Sequence, residues 1–556
     1  MKYLSALDYL IFVIYFVIIA AYGIWIYRRK RLSGQDSKDY FLAEGSLTWW
    51  AIGASLIASN ISAEQFIGMS GSGFKMGLAI ASYEWIAAVT LLIVAVFFIP
   101  VYLKNKIYTM PQFLHQRYNG SVAMIMAVFW LLLYVTVNLT AILYLGAVAI
   151  NSISGIDLSL CMYGLAAFAV VITLGGMKVI GYTDVIQVFF LILGGLVTTY
   201  IALDLVSNHF HGSGIMDGLS LLRAKAPEHF HMMLKKDNTN YMDLPGLTVL
   251  LGGMWISNLS YWGCNQYITQ RALGADLSTA RNGLLFAAFL KILMPVIVVL
   301  PGIAAFVLFK DGAFHQEMTQ NGEVNPDRAY PLLLNLLPNG LKGVSFAALT
   351  AAVVASLAGK ANSIATIFTL DIYKKHIDPT ANEIKLVSVG RITVIAALII
   401  AVIIAPMLGI DKKGGFQYIQ EYTGFVSPGI FAMFLLGFFW KGTTSGAAMF
   451  STIGGFIFSV ILKFLPNIID LSFLAASGFS KLTDKGVYEI PFLDRMEIVF
   501  IICVICMFFI SKYQTRNGYQ PKGLEIERSM FRLTPAFTVG ALLIMGILTA
   551  LYTLYW

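Results

Sequence analysis

Two side chains in otherwise apolar stretches carry the first chemical hint: Glu84 and Lys291. Each follows a stretch broken by polar residues. The first break reads Ala-Ser-Asn-Ile-Ser-Ala-Glu-Gln-Phe over residues 58–66, and the second reads Ser-Asn-Leu-Ser-Tyr-Trp-Gly-Cys-Asn-Gln-Tyr over residues 257–267. A carboxylate only accepts hydrogen bonds and an ammonium only donates them, whereas a sugar hydroxyl does both. A polyhydroxylated ligand would use the two together. A purely structural Glu–Lys pair is the competing role. Tyr83, Trp85, Tyr261 and Trp262 flank the breaks and suit stacking on the apolar face of a sugar ring, although each taken alone fits ordinary packing.

The elements that position these residues follow from composition. The chain has 556 residues, 58% hydrophobic and 12% charged, about half the charged fraction of a soluble protein. That excludes a soluble enzyme, a disordered chain and a secreted disulfide scaffold, and leaves an all-α polytopic membrane protein. Cys161, Cys264, Cys503 and Cys506 all lie in apolar runs, so no disulfide is expected. The run at 8–27 is too long for a signal-peptide core and reads as a retained span.

Hydropathy predicts fourteen spans, at about 8–27, 48–73, 77–103, 121–151, 159–176, 183–205, 246–270, 281–309, 342–373, 390–408, 416–440, 443–463, 494–512 and 535–555. An even number puts both termini on one side. The net charge of +8 speaks first to topology. With both ends outside, short-loop positives such as Arg28, Arg29, Lys104, Lys106, Arg117, Arg271, Lys374 and Lys375 fall in the cytoplasm, as the positive-inside rule requires. Segments 206–245, 310–341 and 464–493 are then external. The first carries His209, His211, His229 and His231; paired imidazoles can hold zinc, but solvated loop histidines are far commoner.

Non-helical backbone at membrane depth survives only inside protein or around a cavity. The broken spans are the second and the seventh, five apart. An odd number of spans per unit gives the units opposite orientations, the pattern of an inverted repeat with a substrate site where the broken helices meet. The expected organisation is a single transporter domain, 1–556, with repeats at 48–205 and 246–440. Residues 8–27 and 443–555 form peripheral helices.

At these residues a resemblance appears. The run Asn-Ile-Ser-Ala-Glu-Gln-Phe-Ile-Gly-Met-Ser-Gly-Ser-Gly over 60–73 resembles the first core helix of the sodium/solute symporter family, in its sodium/galactose and sodium/glucose branch. Residues 79–85, 183–190, 262–267, 362–373 and 416–429 continue the match in the same order, over nearly the whole chain. The resemblance implies a fourteen-helix protein with a five-plus-five inverted repeat. It implies a sugar site of Gln65, Glu84, Asn258, Lys291 and Gln420, with Tyr261 stacking on the sugar as the inner gate. Met69, Tyr83 and Phe416 match the outer gate. One family serine is replaced by Ala87, which leaves the substrate class intact and the preferred epimer open.

For sodium, the resemblance implies carbonyls of Ala58, Ile61 and Ala352 with two adjacent hydroxyls on span nine. Here that pair reads Ala355-Ser356, so one hydroxyl is missing. Lys360 lies four residues after Ser356, on the same helix face. Asp184, on the family's sodium exit route, is an expected partner for it. Three versions of coupling are open: sodium bound weakly above a structural Lys360–Asp184 bridge, a Lys360 ammonium acting as a tethered cation in a sodium-independent uniporter, and a proton-coupled cycle. Opposite charges keep both groups ionised, which weighs against the last. Sodium is the candidate co-transported ion, and no cofactor is expected. A channel would need a continuous polar pore, whereas the polar residues here cluster at one depth. All seven histidines fall in loops and no His-Glu-x-x-His or Gly-x-Ser-x-Gly occurs, so an enzyme is not expected. A non-transporting sugar sensor would keep the same site.

Overall fold

The computed structural model describes residues 4–30, 48–107, 109–173, 177–320, 322–407, 414–483 and 486–556. Apart from two short hairpins, at 319–324 and 481–489, the ordered elements are helices. Among the described residues, eight helices are long and apolar enough to cross a membrane, or nine if one bent pair counts as a span. All four cysteines are free.

The elements that matter for the site are α1 (Ala6–Lys30), α2 (Trp49–Asn60), α3 (Ser70–Met76), α4 (Ser82–Ile93), α5 (Gly120–Leu133) and α6 (Thr140–Ser154). They continue with α7 (Met177–His209), α8 (Gly253–Cys264), α9 (Leu277–Lys310), α10 (Leu341–Thr366), α11 (Glu383–Ile404), α12 (Gly415–Thr423) and α13 (Ser427–Phe439). The chain closes with α14 (Ser445–Phe464), α15 (Phe492–Arg516) and α16 (Pro535–Leu554). The bent pair is α12 and α13, turned by 52° at residues 424–426.

Burial sorts these helices into a centre and a rim. The apolar window of the helix over 341–377 is 83% buried, that of the helix over 535–554 only 17%. A helix apolar all round and buried all round sits inside the bundle; one with an exposed apolar face meets lipid. The central group includes α4, α9 and α10, which carry Glu84, Lys291 and Lys360. The apolar windows of α14 and α16 are only 28% and 17% buried, which puts these two helices on the rim.

Helix-to-helix turns are set by local chemistry. Between α3 and α4 the chain reverses at Gly77, with φ +68°, where an added Cβ would lie 2.3 Å from the His229 carbonyl. Only glycine fits such a left-handed, crowded position. Arg117, read from sequence as a loop cation, is buried instead. It donates to the carbonyls of Gly437, Trp440 and Thr443, at 2.7, 2.9 and 3.0 Å, and so caps the C-terminal end of α13.

Candidate functional site

Both predicted breaks are present. Helix α2 ends at Asn60, and Ile61 is extended at φ −73°, ψ 108°. The Ser62 N–H, which would continue the helix by bonding the Ala58 carbonyl, donates to Gln65 Oε1 at 3.2 Å. Glu64 N–H donates to Ser62 Oγ at 3.1 Å, and the chain resumes as a π-helical turn over Glu64–Met69. Such turns recur at functional sites because the extra residue per turn re-aims side chains. The second break falls at Asn265, extended at φ −102°, ψ 121°, where α8 ends. The Tyr102 hydroxyl takes up the Gly263 carbonyl there at 2.8 Å.

The two breaks line one cavity. Gln65, Glu84, Asn258, Tyr261, Lys291 and Gln420 all face it, as do Tyr83, Ala87 and Phe416. Lys291 Nζ donates to Glu84 Oε2 at 2.6 Å, with both side chains almost fully buried. The same ammonium also donates to Asn60 Oδ1 and lies 5.2 Å from the Trp262 ring centroid. Asn60 Nδ2 in turn donates to the Tyr261 hydroxyl at 3.3 Å. Ser257 Oγ donates to Gln420 Oε1 at 3.3 Å, and Asn258 Nδ2 to the Met254 carbonyl at 3.1 Å. These contacts leave acceptors and donors from five helices, α2, α4, α8, α9 and α12, converging on one space.

One end of the cavity is shut. Tyr83 and Phe416 meet edge to face at 5.0 Å, and both are buried. Met69 is fully buried and does not line the cavity; the Tyr83–Phe416 contact forms its lid. Behind that lid Asp327 Oδ2 accepts from Gly415 N–H, the first residue of α12, at 2.8 Å. Burial pushes the Asp327 carboxyl up to about 7, against the opposing pull of that N–H and of Lys75.

The other end is polar; the sequence singles out Lys360 and Tyr261 there, but not Glu64, Asn138 and Tyr134 beside them. Lys360 Nζ, itself buried, donates to Asn138 Oδ1 at 3.3 Å. It lies 5.1 Å from the Tyr134 ring centroid and 6.0 Å from that of Tyr261. Glu64 lines the same space and interacts electrostatically with Lys360. The Tyr134 hydroxyl donates to Asn265 Oδ1 at 2.6 Å, linking α5's continuation to the second break. The side chain of Asp184, the expected partner of Lys360, lies outside the described residues.

The four residues expected around sodium lie off the cavity wall. Ile61, Ala352 and Ser356 are buried and Ala58 is half-buried. Helix α10 packs against α2. Ser356 Oγ is buried with no hydrogen-bond partner among the described residues, so one oxygen stays available to a ligand at this contact. Of the four histidines in segment 206–245, His209 Nε2 meets Asp311 Oδ2 at 2.6 Å and His229 Nε2 the Phe74 carbonyl at 3.0 Å. No group of three metal-ligating residues occurs among the described residues.

The family model described as "Sodium:solute symporter family" matches residues 40–455. The chain belongs to this family. It is 48% identical to the sodium/glucose cotransporter of Vibrio parahaemolyticus, covering 100% of this chain and 99% of that protein. It is 34% identical to mouse sodium/myo-inositol cotransporter 2, covering 84% of this chain and 71% of the relative. Mouse sodium/glucose cotransporter 1 is 30% identical over 91% of this chain and 79% of its own. Among solved structures, a Na+-coupled sialic acid symporter in a substrate-bound outward-open state matches with a TM-score of 0.74. That match covers 94% of this chain and 100% of the other at 21% identity, which speaks for the fold alone. As a sodium:solute symporter the chain is a multi-pass membrane transport protein, and its relatives are cotransporters rather than enzymes.

Proposed function

We propose that this symporter carries a monosaccharide of the galactose/glucose type by alternating access. The membrane is a bacterial-type plasma membrane, both termini lie outside, and the architecture is fourteen helices with a five-plus-five inverted repeat. The observation that carries this reading is the convergence of Gln65, Glu84, Asn258, Lys291 and Gln420 on one cavity between the two broken helices. A buried carboxylate and ammonium beside three amides match the mixed donor and acceptor demand of sugar hydroxyls. The Tyr83–Phe416 contact closes the outer route, and Tyr261, held by Asn60, is the gate to the inner one. The names of the sodium/glucose relatives point to the same substrate class.

The ion coupling is read from two departures. Sodium would bind between α2 and α10 with Ala58, Ile61, Ala352 and Ser356, but Ala355 supplies no hydroxyl and Lys360 brings a fixed positive charge one turn away. Its contacts with Asn138 and Glu64 favour a second reading, in which this ammonium does part of sodium's work by tying α10 to the broken segment. Sugar uptake then depends only weakly on a sodium gradient. Counterflow of labelled galactose and glucose into proteoliposomes, with and without Na+, tests both statements. Absence of counterflow despite sugar binding identifies a sensor. Steep sodium dependence removes the tethered-cation reading and keeps the symporter.

A further inference from the structure

The cavity contains its recognition chemistry twice. The first set is Glu84, Lys291 and Asn60 beside the Trp262 ring. Past Tyr261 along the seventh span, a second set comprises Glu64, Lys360 and Asn138 beside the Tyr134 ring. Each set has one carboxylate, one ammonium, one amide and one aromatic face. Tyr261 stands between them, its hydroxyl held by Asn60 of the first set and its ring 6.0 Å from the ammonium of the second.

Packing alone accounts poorly for the second set. Burying a lysine at membrane depth is costly, and such residues usually serve a polar interior. Glu64 faces Lys360, yet its Oε1 is buried without a hydrogen-bond partner among the described residues. A buried carboxylate oxygen left without a donor is a group waiting for one. A hydroxyl-bearing ligand supplies it, and the Trp130 ring, which lines the cavity, offers an apolar face for the ring carbons.

We propose that Glu64, Asn138 and Lys360 form a second sugar-binding subsite on the inner side of Tyr261, which receives the sugar once Tyr261 gives way. The assignment rests on the reading of the chain as a monosaccharide transporter. It makes recognition asymmetric: sugar arriving from the inner face meets this subsite first, and sugar arriving from the outer face meets Glu84 and Lys291 first.

The test is exchange of labelled galactose and glucose by the full-length chain in sided proteoliposomes, with saturating sugar held on the opposite face and sodium equal on both faces so that coupling cannot contribute. Half-saturation is measured from each face for wild type, Lys360→Met and Glu64→Gln. Each variant is first required to match wild type on gel filtration. Glu64→Gln is expected to raise the inner-face half-saturation about tenfold, the size of one lost charge-assisted hydrogen bond, and to leave the outer-face value unchanged; Lys360→Met, which also alters the preference between states, is expected to raise the inner-face value by more than it changes the outer-face value. Values that move together on both faces, or on neither, overturn the subsite and leave the transporter standing. Wild-type protein that exchanges neither sugar overturns the transporter reading itself.

Discussion

The Glu84–Lys291 pair gives the most demanding test of the site. At 2.6 Å, with side-chain exposures of 3% and 1%, these charges depend on one another. With an effective dielectric of about 20 the gross attraction is about 6 kcal/mol, most of it offset by desolvation. Removing one partner strands the other, and a buried pair broken this way costs about 3–5 kcal/mol. Lys291→Met is the harsher single change, because Glu84 loses its ammonium partner. Glu84→Gln is milder, since the ammonium keeps Asn60 Oδ1 and the Trp262 face. The double variant, neutral at both positions and similar in volume, should recover most of the loss, giving a coupling of about 3 kcal/mol. Thermal melting of the detergent-purified chain supplies the order: Lys291→Met lowest, Glu84→Gln next, the double variant near wild type. Sugar exchange should be lost in all three, because recovered stability does not restore the missing hydrogen bonds. A double variant that melts as low as Lys291→Met would refute the mutual compensation and leave the lysine as a packing element.

Three further outcomes follow from the same geometry. The Asp327 carboxyl is raised from 3.8 to about 7, so the folded chain holds a proton there that the unfolded chain releases. Stability should therefore fall as pH rises from about 4 to about 7 by up to about 4 kcal/mol, then level off; Asp327→Asn, which still accepts from Gly415 N–H, should flatten that slope in melting curves. Lys360→Ala combined with Ala355→Ser returns a hydroxyl and removes the fixed charge, and should make galactose uptake steeply dependent on Na+ in proteoliposomes. Gly68→Ala puts a Cβ 2.8 Å from the Phe416 amide nitrogen, so it should cost about 1–3 kcal/mol by melting and slow uptake by displacing Phe416 from Tyr83.

What could be read from the sequence was whatever the membrane makes expensive. Glu84 and Lys291 stood out because charge at that depth is penalised, and the runs at 58–66 and 257–267 stood out because exposed backbone is penalised too. Glu64 and Asn138 escaped notice for a specific reason. Both lie in π-helical turns, Glu64–Met69 and Tyr134–Leu139, where five residues rather than four separate bonded groups. Glu64 sits in the run 58–66 beside Gln65, and nothing in the sequence marks that both side chains of such a turn face the same cavity. Arg117 was misread because a loop cation and a helix-capping cation look alike in sequence; the carbonyls of Gly437, Trp440 and Thr443, far along the chain, decide between them. Lys360 was conspicuous by its charge, but its long flexible stem gave no direction, and Asn138, Tyr134 and Tyr261 became its neighbours only once the helices were packed.

The consequence of Lys360 for energy coupling can be argued from its position and its tether. Four residues beyond Ser356 along α10, it stands about 6 Å further on at the α-helical rise. A unit charge about 6 Å from a cation raises its energy by about 3 kcal/mol at an effective dielectric of about 20, about 100-fold in affinity, and the Lys360 ammonium, turned into a cavity off whose wall the expected sodium residues lie, would impose less than this. Glu64, acting on the same ammonium, returns part of this. In the proposed sodium site, Ala355 would take away one ligand in addition. A mobile ion drives uphill transport because it binds one state better and is then released down its own gradient. A tethered ammonium also biases the states by its differential contacts, but it is never released, so it dissipates no gradient. Lys360 can therefore set which conformation the empty transporter prefers without supplying work. Accumulation of sugar against its gradient would thus require Na+ at Ser356 despite the nearby charge, whereas sugar running down its gradient requires nothing beyond the Lys360 contacts already formed.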